Sequence, residues 1–225
     1  GYVHAEAAAS TGLPQGIPVV GGGGDQAAGA VGLGLVDEGR VSCSVGTSGV
    51  VFAASDRPVF HPEGKLHAFC HCVPDRLHVM GVMLSAGGAF RWYRDELGAG
   101  ADYNTLTEEA AEVSAGAEGL LFLPYLTGER TPHADPNARG SFIGLGVHHK
   151  RKHLTRAVLE GITLGLNDSV VLTRELGVAV PELRITGGGA RSDFWSKLMA
   201  TVFEAPVVRM KVDEGPAFGA GILAA

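Results

Sequence analysis

A chain of 225 residues with 45% hydrophobic content can bury a core as one large domain or two small ones, and a formal net charge of −6 argues against nucleic-acid binding, which requires a basic surface. No apolar run of about 18 residues is available to span a bilayer and no secretory leader pattern opens the chain. The three cysteines, Cys43, Cys70 and Cys72, are too few for a disulfide framework, so the composition points to a cytoplasmic globular protein that handles a small molecule.

Glycine is the outlier: 34 of 225 residues, about twice the usual ~7%, gathered in runs at 21–24, 46–49, 87–88, 187–189 and 215–221. Clustered glycines mark backbone that another group approaches closely. In chain order, alanines and glutamate at 2–11 predict a helix that stops at Gly12 and Pro14. Ile17, Val19 and Val20 predict a buried strand leading into Gly21 to Gly24 and Asp25, with a helix over 26–33. Residues 41–45 and 50–53 predict a hairpin with a glycine-rich tip. An extended region at 67–83 precedes Ser85, Ala86, Gly87 and Gly88 and a helix through Phe90, Trp92, Tyr93 and Leu97.

The segment 99–117, with Glu108, Glu109 and Glu112, predicts a polar helix; 120–123 predicts a strand, and 127–140 an irregular loop. Leu154, Val158, Ile162, Leu166, Val170 and Leu176 fall near helical spacing and predict one long core helix. A strand at 183–186 meets Gly187, Gly188 and Gly189, a helix follows through Phe194, Trp195, Leu198 and Val202, and a strand at 206–210 leads through Glu214 to a small-residue helix at 217–225. Strands alternating with helices, with glycines at the strand ends, predict an α/β fold.

A strand, a glycine turn and a helix N-terminus form an anion site, because unpaired N–H groups and the helix dipole both face the ligand. Several such junctions suit a polyphosphate. The P-loop spacing is absent and the uninterrupted glycines fit a dinucleotide fingerprint poorly. His67, Cys70, His71, Cys72 and His78 lack the spacing of a structural zinc site, and residues 148–153 suit a solvated basic loop before a helix.

Three stretches carry a resemblance: Gly22-Gly23-Gly24-Asp25-Gln26-Ala27-Ala28-Gly29-Ala30, Ser44-Val45-Gly46-Thr47-Ser48-Gly49 and Tyr125-Leu126-Thr127-Gly128-Glu129-Arg130-Thr131-Pro132. With the signature from Gly140 through Phe142, Gly144, Leu145, His153, Leu154, Ala157, Val158 and Leu159 to Glu160, and the turn Thr186 to Ser192, the whole chain resembles the FGGY family of carbohydrate kinases, nearest to its xylulose kinases. The resemblance implies an actin-like, ribonuclease H-like domain with a mixed sheet and flanking helices. Residues 1–225 correspond to the C-terminal, nucleotide-binding half, and an N-terminal sugar-binding domain is implied as its partner, because the Asp-x-Gly-Thr motif of that domain is not in this sequence. The chain thus looks shortened at both ends.

The implied activity is ATP-dependent phosphorylation of a ketopentose, foremost D-xylulose to D-xylulose 5-phosphate. Asp25 is the implied general base, with Gln26 at the sugar; helix capping is the plain alternative for Asp25. Gly46 and Thr47 are implied at the β- and γ-phosphates, Gly87 against the nucleotide, and Gly188, Gly189 and Ser192 on the adenosine side. Arg91 stands where family members often carry an amide. Mg²⁺ is implied by the phosphate charge, with Asp25 the nearby carboxylate. Two alternatives stand beside this: a nucleotide-binding module inactive in isolation, and a family kinase for ribulose, gluconate or glycerol. A homodimer is left open.

Overall fold

The computed structural model describes residues 1–210 and 215–225; Glu214, expected to lead into the last helix, lies outside the described residues. Helix α1 (Ala5–Thr11) ends where Gly12 takes the left-handed conformation, with φ of 75°. Helix α2 (Asp25–Gly32) follows. Strands β1 (Val41–Val45) and β2 (Gly49–Ser55) form the expected antiparallel hairpin, Cys43 opposite Val51. The extended region beyond it is two strands, β3 (His67–Cys70) and β4 (Leu77–Met83), separated by a turn in which Asp75 takes φ of 59°.

Helices α3 (Gly87–Glu96) and α4 (Tyr103–Ala111) precede a small antiparallel pair, β5 (Leu121–Leu123) and β6 (Ser141–Ile143). Then come α5 (Arg151–Glu175), β7 (Leu183–Thr186), α6 (Asp193–Phe203), β8 (Val207–Arg209) and α7 (Gly215–Ala224). The six-stranded sheet has the order β3-β4-β2-β1-β7-β8. Strands β1, β7 and β8 run parallel and the others antiparallel, which is the mixed sheet expected.

Alternation along the central strands divides the molecule into two layers. Val41, Cys43 and Val45 of β1, with Leu183 and Ile185 of β7, point into the main core against Val158, Ile162, Leu166 and Val170 of α5 and residues of α3, α4 and α6. Each such aliphatic side chain stabilises the fold by roughly 1.5–3 kcal/mol when fully buried. The opposite face is thinner: Phe52 and Ala54 of β2 pack with Ala30 and Leu35 beneath α2. Helix α7 lies on α2 almost backbone to backbone, since a Cβ at Gly219 would stand 1.7 Å from the carbonyl oxygen of Ala28.

Some expectations need correction. Residues 17–20 are not a buried strand: Val3 N–H donates to the Ile17 carbonyl and Val19 N–H to that of Gly1, so the segment bonds the chain start instead of the sheet, and Val20 stays 81% exposed. The polar helix is shorter than 99–117, because Ala99 and Gly100 turn at φ of 54° and 65° and Asp102 caps a later start. The basic stretch is a loop only to Lys150. Arg151 opens α5 and pairs with Glu109, while His153 Nδ1 accepts from Lys150 N–H at 2.9 Å, closing the first turn.

Candidate active site

Parallel neighbours β1 and β7 end at the same edge of the sheet, where strand ends and helix starts leave a crevice. A cavity of about 540 Å³ opens there, on the core-side layer. Gly46 and Thr47 reach it from the β1–β2 turn, Gly87 and Arg91 from α3, and Gly188, Gly189, Arg191 and Ser192 from the turn after β7. Every residue expected on the nucleotide side is therefore gathered in one place, although their sequence positions span the chain. Gly87 has to be glycine: a Cβ would lie 2.5 Å from the Gly46 carbonyl oxygen, with which its own N–H bonds at 2.8 Å.

The donors divide differently from expectation. Gly46 N–H is engaged by the Ser48 carbonyl at 3.0 Å, so it holds the turn and is not offered to a ligand. Thr47 has neither its N–H nor its hydroxyl engaged among the described residues and is the donor at the hairpin tip. Arg91 and Arg191 line the cavity with no ion pair or hydrogen bond among the described residues, so two cations stand ready for an anion. Asp102 is satisfied within α4: its carboxylate accepts from the Thr105 hydroxyl and from the N–H groups of Thr105 and Asn104, and these bonds hold it below the ordinary carboxylate range. Ser192 Oγ accepts from Trp195 N–H at 3.2 Å, capping α6 and leaving its own proton to give.

Asp25 and Gln26 do not join this cavity. They line a smaller one of about 160 Å³ on the opposite face of the sheet, with Ser42, Ser44, Thr186, Gly187 and Phe218. The two spaces adjoin along the turn after β7, where Gly187 borders one and Gly188 the other. The capping alternative for Asp25 is not what is seen: Gly24 is the N-cap, and the Asp25 carboxylate, in the first turn, caps nothing and is exposed. No group of three or more His, Cys, Asp or Glu side chains able to hold a metal occurs among the described residues. His71 and His78 instead pack around Phe52, at ring separations of 5.7 and 4.4 Å.

Residues 41–225 match the model of the C-terminal domain of the FGGY family of carbohydrate kinases. The chain belongs to that family. A xylulose kinase of Bacillus subtilis is 42% identical over 218 residues, which is 97% of this chain and 44% of the relative. A xylulose kinase of Lactococcus lactis is 44% identical over 226 residues, covering 100% of this chain and 45% of the relative. The crystal structure of xylulose kinase from Rhodospirillum rubrum superposes with a TM-score of 0.90 at 38% identity, over 100% of this chain and 45% of that one. The chain thus spans less than half the length of the relatives it matches, and it has the actin-like fold of the FGGY kinases.

Sequence reasoning missed part of the FGGY nucleotide cavity. Asp102, Tyr103, Asn104 and Thr107, with Phe90 and Trp195, complete its wall. An Asp followed three residues later by Thr marks a helix start and could have located the first turn of α4. Nothing in the spacing says that this turn meets α3 and α6 at the sheet edge.

Proposed function

We propose that this chain is the nucleotide-binding half of an ATP-dependent sugar kinase acting in the cytoplasm, and that the full protein phosphorylates D-xylulose to D-xylulose 5-phosphate. The observation that carries the proposal is the convergence of Thr47, Gly87, Gly188, Gly189 and Ser192 on one 540 Å³ cavity beside an unengaged carboxylate at Asp25. Similarity to xylulose kinases along nearly the whole chain supports the choice of sugar.

In the proposed reaction a sugar hydroxyl oxygen forms a bond to the γ-phosphorus, the bond from that phosphorus to the β–γ bridging oxygen breaks, and ADP leaves. Asp25 takes the hydroxyl proton, and Gln26 beside it orients the sugar. Thr47 N–H and hydroxyl hold the phosphate chain at the hairpin tip, and the cations of Arg91 and Arg191 offset its charge. The residues fit a magnesium ion that travels with the nucleotide: Asp25 is one free carboxylate, and Mg²⁺ keeps most of its ligands as water and phosphate. When bound, it neutralises phosphate charge. The second wall of the sugar cleft is assigned to a domain preceding this one in the full protein.

In the full-length protein, Asp25→Asn should lower xylulose-dependent ADP release by roughly 10²–10⁴-fold, the range for losing a general base, while leaving ATP affinity within about twofold. Turnover retained by that variant would remove Asp25 from the chemistry. Comparing xylulose with ribulose, gluconate and glycerol in the same assay tests the sugar.

A further inference from the structure

Asp25, Thr47 and the glycines account for the proton and the phosphates, but they leave the base of the nucleotide unread. The cavity on the core-side layer has a glycine end, formed by residues 46–47, 87 and 188–189, and a side-chain end at the first turn of α4 and the start of α6. Aromatic rings close the second end: Phe90 lies 5.2 Å from Tyr103 and 5.6 Å from Trp195 between ring centroids. Phosphates suit the first end and a flat purine the second.

A 6-amino purine offers a proton at its exocyclic nitrogen, so the protein must supply an acceptor. Counting acceptors at that end leaves few. Ser192 Oγ already accepts from Trp195 N–H and can only donate further through its own proton. Both Asp102 oxygens take bonds inside α4. The Thr107 hydroxyl is buried and donates back to the carbonyls of Tyr103 and Asn104. Arg91 and Arg191 have donors alone. The Tyr103 hydroxyl could accept, but its ring is held between Phe90 and the Arg94 guanidinium, 4.5 Å from the centroid. The Asn104 side chain lines the cavity, is exposed, and has no partner among the described residues.

Resting on the reading of this cavity as the nucleotide site, we infer that Asn104 is a specificity-determining residue whose amide oxygen accepts the 6-amino proton of adenine. Its amide nitrogen donates to a neighbouring ring nitrogen, and Ser192 donates from the opposite wall. The side chain in this role is unlike the residues of the family motifs, because it sits in the polar segment between them.

The test uses the full-length protein with two probes, ATP and purine riboside 5′-triphosphate, which lacks only the 6-amino group. Wild-type protein should bind ATP about tenfold more tightly, the scale of one good amide–base pair. Asn104→Ala should bring the ratio close to one by weakening ATP alone, with the analogue's affinity unchanged and reporting a folded cavity. Tyr103→Phe should keep the wild-type ratio. An Asn104→Ala protein that preserves the tenfold ratio overturns the assignment, as does a Tyr103→Phe protein that loses it. If wild type binds neither triphosphate, the nucleotide reading of the cavity fails first and this inference with it.

Discussion

At the scale of one residue, His78 shows how packing sets chemistry. It is 4% exposed, stacks on Phe52 at 4.4 Å, and its Nδ1 has no partner among the described residues. Burial, and then the charge on His71 whose ring stands edge-on at 6.0 Å, pushes its pKa down to about 4. With the folded value below the unfolded one near 6.5, the unfolded chain binds the proton first as pH falls. Stability is therefore intact above that unfolded value and drains away toward the folded one. The loss attributable to His78 between about pH 7 and about pH 5 is on the order of 2 kcal/mol. Urea unfolding at both pH values, on wild type and on His78→Phe, should give a pH-dependent loss that is larger in wild type by that amount. Parallel losses in the two proteins would mean that His78 is not strained by its surroundings. The same accounting explains Cys43, which is fully buried and whose thiol is pushed up to about 12, whereas Cys70 is exposed.

At the scale of an element, α5 was legible because its apolar positions repeat for several turns and no glycine or proline pattern stops them. The helix runs Arg151–Glu175 against an expectation of 154–176. A short run such as Ile17, Val19 and Val20 carries no comparable signal, since a strand exists only if another strand takes up its hydrogen bonds. Two glycines one turn apart on α5 then separate intrinsic propensity from contact. Alanine in place of glycine in a helix interior is ordinarily favourable by about 1 kcal/mol. At Gly161 a Cβ would lie 2.1 Å from the Phe122 carbonyl oxygen, backbone that belongs to β5 and cannot move alone. At Gly165 it would meet only the Met83 terminus, at 3.2 Å from Cε, and that methyl can rotate away. Gly161→Ala should therefore destabilise by roughly 1–3 kcal/mol, the scale of overpacking, while Gly165→Ala should be neutral or stabilising by up to about 1 kcal/mol. Equal effects on the urea midpoint would show that contact geometry does not control these sites.

At the scale of the whole molecule, the sheet is a partition, with the nucleotide cavity on one layer and the Asp25 cavity on the other, joined only along the turn after β7. The glycine turns were legible because each sits at a strand end and has a recognisable motif; the division between two faces was not, because it follows from strand alternation and from where α2 and α7 settle. The same partition predicts a gradient of stability. Strand β1 is bonded to β2 and β7, packed by α5 on one face and bordered by α2 on the other, so its amides exchange only when the sheet opens. Residues 12–24 are exposed throughout, and few of their amides have backbone partners. Their exchange needs no opening of the core. Hydrogen–deuterium exchange followed by mass spectrometry should find β1, β2, β7 and the middle of α5 protected roughly 10³-fold or more beyond residues 12–24, since global stability of at least about 5 kcal/mol separates the two classes. If residues 12–24 exchanged as slowly as β1, the segment would have to be part of the cooperative core, and the assignment of the first strand of that core to β1 would be wrong.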